Sequence, residues 1–96
     1  IELEALPLLP GALELADRHQ ARGLAANRRE FEPQVEYGGR TESARKALAY
    51  DPQTSGGLLV SIPALQGPVL EAEFAERRLF LRRIGSVEEG TGVVVE

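Results

Sequence analysis

The chain has 96 residues, a formal net charge of −4, and neither Cys, Met nor Trp. That length suits one domain and is too short for two. Without cysteine it has no disulfide, thiolate metal site or cysteine nucleophile, and its acidic balance lacks the basic excess on which phosphate-backbone binding to nucleic acid relies.

Residues 1–6 read as a short strand. Pro10 then opens a helix, with Leu9, Ala12, Leu13 and Ala16 on one face, that should end near Gly23. From Gly23 to about Gly39 the pattern is least periodic. This region reads as loop, with an edge strand in "FEPQVEY" interrupted at Pro33. Thr41 suits an N-cap, and Ala44, Ala47 and Leu48 form an apolar stripe through "TESARKALAY". Asp51-Pro52 should stop that helix, because a residue before proline is pushed out of the helical region.

"GLLVSI" is apolar on both pleat faces, Leu58, Val60 and Ile62 against Leu59, and so reads as a central, covered strand. Pro63 and Pro68 bracket the start of a helix with Leu65, Val69, Leu70, Ala72 and Phe74 on its buried side. "RLFLRRIGSV" and "TGVVVE" are strand-rich runs around "EEG", the pattern of a hairpin with Gly90 in its turn. The order implies an α/β (α+β) fold, with helices layered on a mixed β-sheet.

The chain starts without methionine, in what reads as the end of a strand, and is expected to be a piece of a longer protein. No apolar run approaches the ~20 residues a membrane-spanning helix needs, and nothing at the start has signal-peptide form. The expected parent is soluble and cytoplasmic, with no membrane partner.

The stretch "DPQTSGGLLV" is the most distinctive. Asp51-Pro52 gives an extended exit from a helix, and Gly56 and Gly57 permit backbone approaches that side chains forbid. Gln53, Thr54 and Ser55 lie between. Successive amides in such a turn can form an anion-binding nest, to which the two hydroxyls add donors. The competing reading is a tight connection whose hydroxyls satisfy its own amides. Because phosphate loops of the common kind run from strand to helix, a helix-to-strand course favours this plainer reading.

"YDPQTSGGLLVSIP" closely resembles a signature of the selenophosphate synthetase (selenide, water dikinase) family. "LPLLPGALELAD", Asn27 after "GLAA", and "RRIGSV" occur in the family's order, while Gly23 to Thr41 matches poorly. The resemblance implies the aminoimidazole ribonucleotide synthetase superfamily and a C-terminal α/β domain of partial ferredoxin-like topology. Residues 1–96 would be a single, incomplete C-terminal domain of a two-domain enzyme. It would close the cleft over an N-terminal ATP-binding domain that also dimerises.

The implied parent reaction makes selenophosphate, AMP and orthophosphate from selenide, ATP and water, with magnesium. The family's selenium-handling residue, essential lysine and metal-binding aspartates lie upstream, so the resemblance places no catalytic residue and no metal ligand here. The candidate cleft or interface loop is Asp51, Gln53, Thr54, Ser55, Gly56 and Gly57. The chain alone is expected to bind no ATP or Mg2+ and to be inactive.

Asp51 tempts assignment as a magnesium ligand, but hard cations take several oxygens and no second carboxylate lies in the loop. His19 reads as exposed. Glu30, Glu32 and Glu36 read as solvent-facing, and the Arg28-Arg29, Arg77-Arg78 and Arg82-Arg83 pairs as solvated faces or partners for nearby Glu. Two alternatives stay open: a sibling ATP-dependent enzyme of the superfamily, and a non-catalytic ligand-binding or interaction module.

Overall fold

The structure is a computed structural model, describing residues 1–16, 18–39, 41–53 and 55–96. Its helices are α1 (Ala12–Ala16), α2 (Leu24–Phe31), α3 (Ser43–Ala49) and α4 (Gly67–Glu76), and its strands are β1 (Val35–Tyr37) and β2 (Val93–Val95). Short 3-10 turns cover Leu3–Ala5, Glu32–Gln34 and Ala64–Gln66. Helices packed with a small sheet bear out the α+β class.

β1 and β2 pair in parallel, Val35 opposite Val93 and Tyr37 opposite Val95. This corrects the expected C-terminal hairpin: β2's strand partner is the distant β1, and residues 79–88 contain no strand. The expected strand at residues 1–6 is instead a 3-10 turn at Leu3–Ala5 with a strand-like lead-in. The Ile1 nitrogen donates to the Val94 carbonyl at 2.6 Å, Glu96 N–H to the Ile1 carbonyl at 2.9 Å, and Leu3 N–H to the Glu96 carbonyl at 2.8 Å. Their alternation is that of a parallel pairing. On the far side Glu2 N–H donates to the Ile84 carbonyl at 2.9 Å.

α3 forms where the alanine stripe places it, with Ala44 and Ala47 buried and Leu48 half-buried. Its N-cap is Glu42, which has the extended backbone, rather than Thr41. α2 falls in the region read as loop. Its one buried residue is Leu24, so it carries no apolar stripe for periodicity to detect. An Arg28–Glu32 pair one turn apart supports its exposed face at 2.9 Å.

The core is small. Leu24, Ala47 and Tyr50 cluster with Val35 and Tyr37 packed on them, and Leu3, Ala16, Ala44 and Val95 are the other buried apolar residues among those described. "GLLVSI" is not a covered central strand. Leu58, Leu59 and Val60 are exposed, Leu58 by 94%, and residues 57–62 belong to no strand. Of the expected buried side of α4, Leu70 and Phe74 are half-buried while Leu65, Val69 and Ala72 are exposed. The accessible surface is 8216 Å², against roughly 5400 Å² for a compact monomer of this mass. Exposed apolar residues such as Leu58, Leu59, Leu65, Phe80 and Val87 contribute to the excess.

Candidate functional site

The candidate loop leaves α3 at Tyr50, which caps the helix and is itself buried. Asp51 N–H donates to the Leu48 carbonyl at 3.2 Å, closing the last turn before Pro52 redirects the chain. α2 braces this exit from outside. Asn27 Nδ2 donates to the Tyr50 carbonyl at 3.0 Å. Gly23, just before α2, faces the proline ring so closely that a methyl group there would lie 3.1 Å from Pro52 Cγ and 3.3 Å from its Cβ.

A second brace comes from β1. The Tyr37 and Tyr50 hydroxyls lie 2.7 Å apart, and Lys46 Nζ sits 3.8 Å above the Tyr37 ring centroid. Burial, first, and then the hydrogen bond to Tyr50 push the Tyr37 phenol well above its ordinary value.

Past Pro52 the loop opens. Gln53, Ser55, Gly56 and Gly57 are exposed and Asp51 is half-buried. Gln53 Nε2 donates to Asp51 Oδ2 at 3.4 Å, and a methyl group on Gly56 would meet Gln53 Oε1 at 3.6 Å. The Gln53 side chain thus folds back over the loop's base. Thr54 lies outside the described residues. The structure therefore brings Asp51, Gln53 and Gly56 together, and leaves Ser55 and Gly57 facing outward next to the exposed Leu58–Val60 run.

Asp51 does not fit a hard cation, which takes six or more oxygens, commonly from several carboxylates. The hydrogen-bond partner of its Oδ2 is an amide, and among the described residues no group of three or more His, Cys, Asp and Glu could hold a metal. His19 is exposed, as expected. Glu30 and Glu36 are exposed as well, while half-buried Glu32 has its carboxyl held below the usual range by the hydrogen bond from Arg28. Of the arginine pairs, Arg28 bonds Glu32, Arg77 bonds Glu73 at 3.1 Å, and Arg82 Nε donates to the Ala5 carbonyl at 3.3 Å.

Sequence reasoning did not find the braces. Asn27 stood out only as an isolated match to a family pattern, and nothing in local composition ties Gly23 to Pro52 or Tyr37 to Tyr50.

No protein-family model and no solved structure matches the chain. Curated proteins do. A selenide, water dikinase of Trichlorobacter lovleyi is 34% identical over 86 residues, 88% of this chain and 25% of that protein. This chain is related to the selenide, water dikinases. The protein of that name from Pseudomonas straminea is 44% identical over 62 residues, 64% of this chain and 17% of its own length. That of Clostridioides difficile is 40% identical over 63 residues, 65% and 18%. The chain thus spans a quarter or less of the selenide, water dikinases it matches here. A match of 86 residues in a chain of 96 necessarily includes the central loop.

Proposed function

We propose that this chain is the C-terminal domain of a selenophosphate synthetase and closes the cleft over an upstream ATP-binding domain. In the parent, selenide, ATP and water become selenophosphate, AMP and orthophosphate. The observation that carries this reading is the loop itself: a signature-bearing segment, braced at Tyr50 and Pro52, whose Gln53, Ser55, Gly56 and Gly57 stand exposed. A polar loop on a fixed base, flanked by uncovered apolar residues, suits a surface that meets a second domain with a polar substrate between them.

In this reading the parent's magnesium and most of its ATP contacts come from residues upstream, as the resemblance to the family implies. The loop has no Lys, Arg or His, and among the described residues no group of three or more His, Cys, Asp and Glu could hold a metal. What this chain supplies is positioning: amide and hydroxyl donors for an anionic group, and an apolar face that keeps water from the closed cleft.

The proposed parent is cytoplasmic and, as the family resemblance implies, a homodimer. The described residues contain no helix long and apolar enough to cross a membrane.

The test compares the 96-residue chain with the full-length protein in an assay for selenide-dependent AMP release. The chain alone should give none while the full-length protein turns over. Comparable AMP release from the isolated chain would overturn the assignment of chemistry to the upstream residues.

A further inference from the structure

The carbonyl of Tyr50 is the point at which helix α3 hands the chain to the loop. The last carbonyls of a helix have no intrahelical donor and need an outside partner. Here the partner is Asn27 on α2, at 3.0 Å and 23 residues away in sequence. Gly23, four residues before Asn27, sits where any larger residue would press on Pro52. α2 and the glycine that precedes it thus meet the loop's base at the residues before and after Asp51.

We infer that Asn27 and Gly23 are positioning residues that set the direction in which the Gln53–Gly57 loop leaves α3. Asn27 fixes the Tyr50 carbonyl, and so the plane of the following peptide. Gly23 lets Pro52 settle against the start of α2. Proline holds φ of residue 52 nearly constant, so the two contacts constrain where the chain emerges at Gln53. α2 is otherwise exposed apart from Leu24, which packs in the core with Ala47 and Tyr50, and partly covered Asn27, so its contacts converge on the end of α3 and the exit of the loop. The functional half of the inference rests on the selenophosphate reading; the structural half does not.

Two measurements on the full-length protein separate them. The first is hydrogen–deuterium exchange resolved to single amides. Asn27→Ala should speed exchange at Tyr50 and Asp51 by about tenfold, the size expected for one lost hydrogen bond. Lys46, whose N–H donates to the Glu42 carbonyl at 3.1 Å at the other end of α3, should be unchanged. Unaltered exchange at Tyr50 and Asp51 would overturn the brace whatever the protein catalyses.

The second is a double-mutant cycle between Asn27→Ala and Gln53→Ala on selenide-dependent turnover, with melting temperature measured alongside. If Asn27 acts through the loop, its effect on turnover should shrink at least threefold once Gln53 is gone, because neighbours acting through one element are not additive. Additive losses that track melting temperature would reduce Asn27 to a purely structural role and overturn the positioning claim. A wild-type protein with no selenide-dependent turnover would sink the selenophosphate reading, and with it the functional half, while the exchange result still decides the brace.

Discussion

The hydroxyls of Tyr37 and Tyr50 lie 2.7 Å apart and tie the end of β1 to the residue from which the candidate loop departs. Tyr37→Phe removes one partner from that pair and should lower stability by about 1 kcal/mol. Urea unfolding of the two proteins checks it; a loss below the experimental scatter would mean that the pair contributes nothing.

The same pair has a signature at alkaline pH. The Tyr37 phenol is raised in the folded chain by burial and by Tyr50, so the folded state keeps a proton that the unfolded chain gives up from about pH 10 upward. This contribution is complete below pH 10 and declines as pH climbs toward the folded-state value. Melting temperature should therefore fall from about pH 10 upward, and fall less steeply in Tyr37→Phe. Equal slopes for the two proteins would contradict the assignment.

Two glycine-to-alanine changes should have opposite signs. At Gly23 the new methyl meets the Pro52 ring at 3.1 Å, and overpacking of this kind costs about 1 kcal/mol or more. At Gly67, in the first turn of α4, a methyl meets nothing within 4 Å, so helix propensity should stabilise by up to about 1 kcal/mol. Thermal melts of both variants decide it. A stabilising Gly23→Ala would remove the crowding argument for the brace.

α4 ends in a Schellman motif built on a residue poorly suited to it. Arg78 has φ +55°, its N–H donates to the Ala75 carbonyl at 3.0 Å, and Leu79 N–H reaches the Phe74 carbonyl at 2.9 Å. Glycine is the residue that adopts this left-handed conformation without penalty. Arg78→Gly should stabilise the chain by about 1 kcal/mol, and an unchanged or lower melting temperature would show that the arginine side chain contributes more than its strain removes.

Leu58 is 94% exposed and Leu65 93%, and exposed apolar surface on this scale finds partners. At high concentration the isolated chain should self-associate, and Leu58→Glu with Leu65→Glu should abolish association without lowering melting temperature. Sedimentation velocity is the measurement; a monomer at every concentration in the unsubstituted chain would count against an uncovered docking face.

What could be read from the sequence was what local chemistry decides. Ala44 and Ala47 place α3, Asp51-Pro52 end it, Pro68 lies in the first turn of α4, and "FEPQVEY" contains β1. Two things escaped because they depend on distant partners. α2 has too few apolar residues for a stripe, and its role shows only where Asn27 meets Tyr50. "GLLVSI" has the composition of a buried strand, yet burial needs a neighbour, and none of the described residues covers it. β2 was assigned to a hairpin because "EEG" suits one, whereas its strand partner lies some 58 positions upstream, at Val35 opposite Val93.

Within the site, "DPQTSGG" showed where the chain turns out of α3, but the exposure of Gly57 was not legible, because "GLLVSI" read as a buried strand beginning there. Nor were the fold-back of Gln53 onto Asp51 and the two braces. They rest on side-chain geometry that motif spacing does not encode.

The most direct test of the central claim is phosphorus NMR of the full-length protein incubated with ATP, magnesium and selenide. A selenophosphate resonance that appears together with AMP and orthophosphate, and only when selenide is present, is the expected result. ADP formed without a selenium-bearing product would contradict it and assign the chain to a different ATP-dependent enzyme.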